Sequence, residues 1–325
     1  MGRSMINFEA YQAAIQHAAY FLQPNPGFLR LGGSDRTDFM QRQSTNDLRQ
    51  LSPGHSLLTV LTSPTARILD VLCLIDEGET LGMITLPGRQ VETARFLRSR
   101  IFFSDQVSIS DLSSDYEQVM VVGPQAAMIL EAADIHAPEL NAVQAMSFKG
   151  QPLKVIALEI LFGIGFCLFA PSTTAEFLLS TLAKVSAFPL DADTFETLRV
   201  EAGQPGPVGE FQNEYTPLEI SGQKMISNSK GCYTGQEIIA RQITYDKVTK
   251  HLSGIKLDGA AEAGKALLAD GKPVGALTSV VNSPRFGWIG LGVIRRPFDD
   301  LGKHLTIFDG TESLVNAEIT PLPFV

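Results

Sequence analysis

Cys232 stands in the stretch Lys230-Gly-Cys-Tyr-Thr-Gly-Gln-Glu237, ahead of the apolar run Ile238-Ile-Ala240. Thr234 followed three residues later by Glu237 has the form of a capping box, which predicts a helix starting there. A cysteine just outside a helix N-terminus and beside a lysine is placed to be a thiolate. The unsatisfied backbone N–H groups, the aligned peptide dipoles and the ammonium all favour negative charge. The same stretch also suits a plainer role, since a cysteine in a tight glycine-flanked loop can serve as a small apolar filler. Cys73 and Cys167 are far from it in sequence, and no C-x-x-C pair or suitably spaced histidine accompanies any of the three. The pattern therefore predicts no self-contained metal site.

The elements that must position this stretch can be read from the periodicity. The 325 residues are 44% hydrophobic and 19% charged, enough for two or three packed domains and too apolar for disorder. The net charge of -9 argues against broad binding to nucleic acid or anionic membranes. Few cysteines and no signal peptide suggest a reducing, cytoplasmic setting. The apolar run from Val155 to Ala170 is interrupted by Glu159, Gly163 and Gly165. It is shorter than the ~20 residues needed to span a bilayer, and predicts two buried strands joined by a glycine turn.

Apolar spacing predicts a helix over Phe8–Leu22, ended by Pro24 and Pro26, then a strand at Gly27–Gly33 and a helix capped by Ser34. Strands follow at 57–61, 68–75 and 81–85, a basic helix at Arg89–Arg100 and a strand at 107–110. The pattern restarts with a strand at 119–122, a helix at 124–133, strands at 153–159 and 166–169, and a helix at 173–185. This order predicts two ferredoxin-like α+β units. From Leu252 the texture becomes short strands with the turn dipeptides Asp270-Gly271 and Asp309-Gly310, which predicts a small β-barrel. The expected division is a two-lobed region over 1–246 and a barrel domain over 247–325.

Lys230–Glu237 matches the K-G-C-[FY]-x-G-Q-E signature without interruption, and four further segments support it in order: Thr45-Asn-Asp-Leu48, Leu198-Arg-Val-Glu-Ala-Gly203, Thr216-Pro-Leu-Glu219 and Val274-Gly-Ala-Leu-Thr-Ser279. In these landmarks the chain resembles the YgfZ-like folate-binding proteins, relatives of the glycine-cleavage T-protein. The resemblance implies an α+β fold of two intertwined ferredoxin-like lobes and a C-terminal barrel, in a ring-like arrangement around a hole that takes tetrahydrofolate. By the same resemblance Glu201 is the carboxylate that pairs with pterin N–H donors, with Arg199 supporting it from the same strand or its end. Arg241 suits the glutamate tail and Tyr233 a stacking role, Lys230 counts with them among the folate-binding residues, and Cys232 is the functional thiol.

One departure concerns mechanism. Aminomethyltransferases resemble one another in two adjacent acids on a second-lobe strand, whereas this chain has Asp70 followed by Val71. That difference and Cys232 favour an accessory factor for iron–sulfur proteins, including those acting in tRNA modification. The alternatives are a folate-dependent aminomethyl or one-carbon transferase using Asp70, and a non-enzymatic scaffold. Direct tRNA contact, for which the basic helix with Arg89, Arg95, Arg98 and Arg100 leaves room, is not favoured, and no membrane partner is expected.

Overall fold

The computed structural model describes residues 6–308 and 314–324. The first stretch runs α1 (Phe8–Gln16), β1 (Ala19–Leu22), β2 (Gly27–Gly32), α2 (Arg36–Gln43), β3 (Ser56–Thr62), β4 (Ile68–Asp76), β5 (Leu81–Thr85), α3 (Gln90–Arg98) and β6 (Ser108–Asp111). Next come β7 (Tyr116–Val122), α4 (Ala126–Ala132), β8 (Val143–Phe148), β9 (Gln151–Ile160), β10 (Gly163–Pro171), α5 (Ser172–Lys184), β11 (Phe188–Pro189), α6 (Ala192–Glu201) and α7 (Gln236–Thr244). The last strands are β12 (Lys250–Leu257), β13 (Ala266–Ala269), β14 (Lys272–Ser283), β15 (Gly287–Arg295), β16 (His304–Phe308) and β17 (Leu314–Thr320).

The chain divides into two compact units. One comprises residues 1–62, 69–194 and 224–234, and the other 63–68, 195–223 and 235–325. The first holds a six-stranded sheet ordered β11-β1-β7-β10-β9-β8 and a five-stranded sheet ordered β3-β4-β5-β2-β6. Each sheet buries one face under helices. Val119, Val121, Leu153, Phe166 and Leu168 pack with Leu130 of α4 and Leu178 of α5, while Leu29, Leu31, Leu72, Leu74 and Met83 pack with Phe39 of α2 and Leu97 of α3. The alternate residues pack together on the other faces: Phe28, Cys73, Ile75 and Ile84 with Ile156, Cys167 and Phe169. Period-2 alternation thus gives β4 two distinct faces, with Leu72 and Leu74 on the helix side and Val71, Cys73 and Ile75 on the other.

The second unit contains a closed barrel, β12-β15-β14-β13-β16-β17, whose interior is filled by Ile255, Leu267, Leu277, Ile294, Ile307 and Ile319. Asp270 and Gly271 form the two-residue link between β13 and β14 with φ of 49° and 73°. Two consecutive positive φ values make the tight hairpin that this dipeptide favours. The second hairpin dipeptide, Asp309-Gly310, lies outside the described residues.

Four local expectations need correction. The first helix stops at Gln16, and Ala19–Leu22 is a strand between β7 and β11; sheet pairing overrides the helical spacing. The N-cap of α2 is Asp35, not Ser34, and its side chain makes no capping hydrogen bond. Leu198–Glu201 ends helix α6 and is not a strand. No capping box forms at Thr234, because α7 begins after Gly235, which takes the left-handed conformation at φ 85°. A complete capping box forms instead at Thr216 and Glu219, where the threonine side chain accepts the Glu219 N–H and the glutamate accepts the Thr216 N–H.

Candidate functional site

The loop that carries Cys232 is fastened at both ends. Lys230, though charged, is buried, and its Nζ donates to the backbone carbonyls of Ser44 at 2.7 Å and Asn46 at 2.6 Å. Burial pushes its pKa down to about 8, against the opposing pull of Asp47. At the other end, Thr62 Oγ1 donates to the Thr234 carbonyl at 2.6 Å. The turn at residues 44–46 is itself fixed, since Thr45 Oγ1 donates to the Met225 carbonyl at 2.7 Å and Ser227 N–H to the Thr45 carbonyl. The Thr45-Asn-Asp turn and the Lys230-Gly-Cys-Tyr loop, nearly 190 residues apart, therefore meet in the first unit.

The consequence for the loop residues is specific. Lys230 points inward, with its Nζ 5.2 Å from the centre of the buried Tyr233 ring, a cation–π contact. Desolvation raises the Tyr233 hydroxyl to about 12. Gly231 and Cys232 remain exposed between the two fastened ends. The lysine thus shapes the loop rather than facing solvent beside the thiol. Cys73 and Cys167 are buried, and burial pushes both thiols up, Cys73 to about 12.

Asp70 lies in β4 on the helix face and is completely buried. Its Oδ1 accepts the N–H groups of Val71 at 2.9 Å and Leu86 at 3.1 Å, and its Oδ2 accepts Thr93 Oγ1 of α3 at 2.5 Å. Desolvation dominates these bonds and raises its pKa to about 7. The neighbouring Val71 is half-buried and, by strand alternation, directed to the opposite face.

In the second unit Glu201 is the last residue of α6 and has no exposed surface. Its Oε1 accepts Ser283 Oγ at 2.5 Å, and its carbonyl accepts the Phe324 N–H at 2.9 Å. Arg199, two residues earlier, is on a different side of the helix, since positions i and i+2 do not face each other. Its guanidinium engages Glu196 at 2.5 and 2.7 Å, Ser279 Oγ at 2.7 Å, Glu210 at 3.2 Å and the Gln204 carbonyl. Desolvation opposes its charge, yet pairing with Glu196 and Glu210 holds its pKa above the ordinary value. Arg199 accordingly fastens the segment after α6 to β14, where Ser279 also donates to Glu210 at 2.8 Å. That segment comes close enough to require glycine: a Cβ on Gly206 would lie 2.7 Å from Arg199 Cζ, and one on Gly209 2.4 Å from the Thr278 carbonyl oxygen.

Arg241 is exposed on α7 and pairs with Glu237 at 2.6 Å, one helical turn away. On the basic helix, Arg89 donates to the Leu69 carbonyl, Arg98 to the Ile109 carbonyl, and Arg100 stacks over Phe96. Three of its four arginines thus have local partners. Glu210 and Ser283 lay outside every motif and Ser279 was marked only as the end of the Val274–Ser279 segment; the Ser283-Pro284 dipeptide is a turn signal that could have drawn attention to Ser283. Among the described residues no group of three or more His, Cys, Asp or Glu could hold a metal ion, and no helix is long and apolar enough to cross a membrane.

Residues 8–230 match the GCVT N-terminal domain and residues 250–325 the glycine cleavage T-protein C-terminal barrel domain. The chain belongs to the glycine cleavage T-protein family. A chloroplastic protein of Arabidopsis thaliana named as a transferase is 31% identical over 294 residues, spanning 89% of this chain and 68% of its own. The aminomethyltransferase of Geobacillus kaustophilus is 26% identical, spanning 97% of this chain and 89% of its own. The crystal structure of glycine cleavage system aminomethyltransferase T from Bartonella henselae superposes with a TM-score of 0.87 at 19% identity, covering 98% of this chain and 89% of that one. That likeness establishes the T-protein fold, α+β with a C-terminal barrel.

Proposed function

We propose that this T-protein family member binds tetrahydrofolate through Glu201 and belongs to the YgfZ-like branch, serving iron–sulfur proteins through the Cys232 thiol. The observation that carries the reading is the loop fastened by Lys230 and Thr234, which leaves Cys232 exposed while the other two cysteines are buried. For folate, the donor chemistry fits. A pterin presents adjacent N–H donors, and a carboxylate, with two oxygens and roughly four lone-pair sites, can accept them in a paired, charge-assisted way. Glu201 is enclosed in its unit, so pairing with a ligand requires neighbouring atoms to move aside. Folate would supply the carrier for a one-carbon unit or a binding signal; the protein's part is to hold it.

The aminomethyltransferase reading has less support. The acid beside Val71 on β4, Asp70, has its oxygens engaged by Val71, Leu86 and Thr93 and is buried on the helix side of the sheet. Val71 cannot ionise on the other side.

Two measurements test the proposal. In calorimetry, Glu201→Gln is expected to weaken tetrahydrofolate binding tenfold or more, because the amide loses the charge and turns a donor toward donors, a change worth ~1.5–3 kcal/mol. Unchanged affinity removes Glu201 from the site. Iodoacetamide should label Cys232 well ahead of Cys73 and Cys167, and Cys232→Ser should fail to restore iron–sulfur enzyme activity in cells lacking the protein. Full restoration by the serine variant would reduce the loop to a structural element.

A further inference from the structure

Ser283 is the last residue of β14 and pairs with Gly287 across a loop of Pro284, Arg285 and Phe286. Its Oγ accepts the backbone N–H groups of Arg285 and Phe286, each at 3.0 Å. A hydroxyl has two lone pairs and one proton. Both acceptor sites are filled by the turn, so the single proton is committed elsewhere. It goes to Glu201 Oε1 at 2.5 Å, between two side chains with almost no exposed surface. Accepting two N–H bonds also polarises the hydroxyl and strengthens it as a donor.

The rest of the surroundings hold the same residue through its main chain. The Phe324 N–H holds the Glu201 carbonyl, and the Phe324 and Phe286 rings pack with centroids 6.0 Å apart. Val200, Ile289 and Leu291 complete that apolar cluster. A stiff hairpin therefore presents one O–H to one oxygen of a buried acid. Because the Ser283 hydroxyl is itself fixed by the turn, it sets where that carboxylate oxygen sits.

We infer that Ser283 is a positioning residue, which orients the Glu201 carboxylate for the paired N–H donors of the pterin. The inference rests on the folate reading above. Ser283 does not touch the ligand; it acts through Glu201. A purely structural serine would hold the hairpin turn and have no bearing on the acid, and the two roles differ in what they predict for double variants.

Tetrahydrofolate is titrated calorimetrically into the full chain and into Ser283→Ala, Ser283→Thr, Glu201→Gln and the Ser283→Ala/Glu201→Gln double variant, with thermal melting to confirm folding. Ser283→Ala is expected to weaken binding about five- to tenfold, less than the direct loss of a hydrogen bond to a charged group, because the serine acts through Glu201. Ser283→Thr, which keeps the hydroxyl, should stay within about twofold of the parent. In the Glu201→Gln background the alanine change should cost nothing further, as expected when two residues act as one unit. If Ser283→Ala does not fold, Ser283→Cys replaces it, and its weak S–H donor should give the same loss.

The outcomes separate. Parental affinity in Ser283→Ala, alongside weakened binding in Glu201→Gln, overturns the positioning role and leaves the folate reading intact. An equal loss in both backgrounds, or a threonine variant as weak as alanine, also overturns it and assigns Ser283 to the hairpin alone. Parental affinity in Glu201→Gln overturns the folate reading itself and the inference with it.

Discussion

Asp70 and Glu201 are both carboxylates without exposed surface, and they are held by different kinds of partner. Asp70 takes its donors from the next residue on its strand, from the turn after β5 and from α3, so it joins strand, turn and helix of one sheet layer. With three donors on its two oxygens and a pKa pushed up to about 7 by burial, it acts as a rivet. Glu201 ends a helix and accepts the hydroxyl of Ser283 from a barrel hairpin. Burial of an acid therefore says little about function; the source of its donors says more.

The contrast is broken most forcefully by truncation. Asp70→Ala orphans two backbone N–H groups and the Thr93 hydroxyl inside the fold, at roughly 1–3 kcal/mol for each unsatisfied group. A loss of several kcal/mol in urea unfolding is expected. Glu201→Gln, which still offers Ser283 an oxygen, should stay within about 1 kcal/mol of the parent. If the two variants lose equal stability, the distinction between rivet and reader fails.

A smaller effect follows from pH. The folded pKa of Asp70, about 7, lies above the ordinary value of 3.8, so between these values the native state binds more protons than the unfolded chain. Its contribution to stability is fully present below pH 3.8 and is lost as pH rises through 7. Asp70→Asn imitates the neutral acid and should flatten that decline in melting profiles taken from pH 4 to 8. A parental slope in the variant would assign the decline to other groups. Smallest of all is the expected change in folate affinity for Asp70→Asn, less than about twofold against tenfold or more for Glu201→Gln.

The same contrast explains what could be read from the chain. The apolar run broken by glycines became the β9–β10 pair, with Phe166 opposite Ala157 and Leu168 opposite Val155, because its length and turn residues allow little else. Asp270-Gly271 likewise dictated a hairpin through its backbone freedom. Ala19–Leu22 was less legible, since its spacing fits a helix and only distant partners in β7 and β11 make it a strand. At Thr234, the S/T-x-x-E spacing was present but the left-handed Gly235 placed the helix start one residue later. Lys230 was visible as a charge near Cys232, while its inward direction depended on carbonyls at residues 44 and 46. Ser283 could be read from the chain at most as the start of a Ser-Pro turn: its meaning comes from a contact 82 residues away.

The central claim is that Glu201 reads the ligand while Asp70 holds the fold. Its most direct test is a crystal structure of the full chain with bound tetrahydrofolate. The account predicts pterin N–H groups within hydrogen-bonding distance of the Glu201 carboxylate, Ser283 still on Oε1, and Asp70 still closed by Val71, Leu86 and Thr93. A pterin seated on Asp70, or a bound folate that leaves Glu201 enclosed and uncontacted, would contradict it.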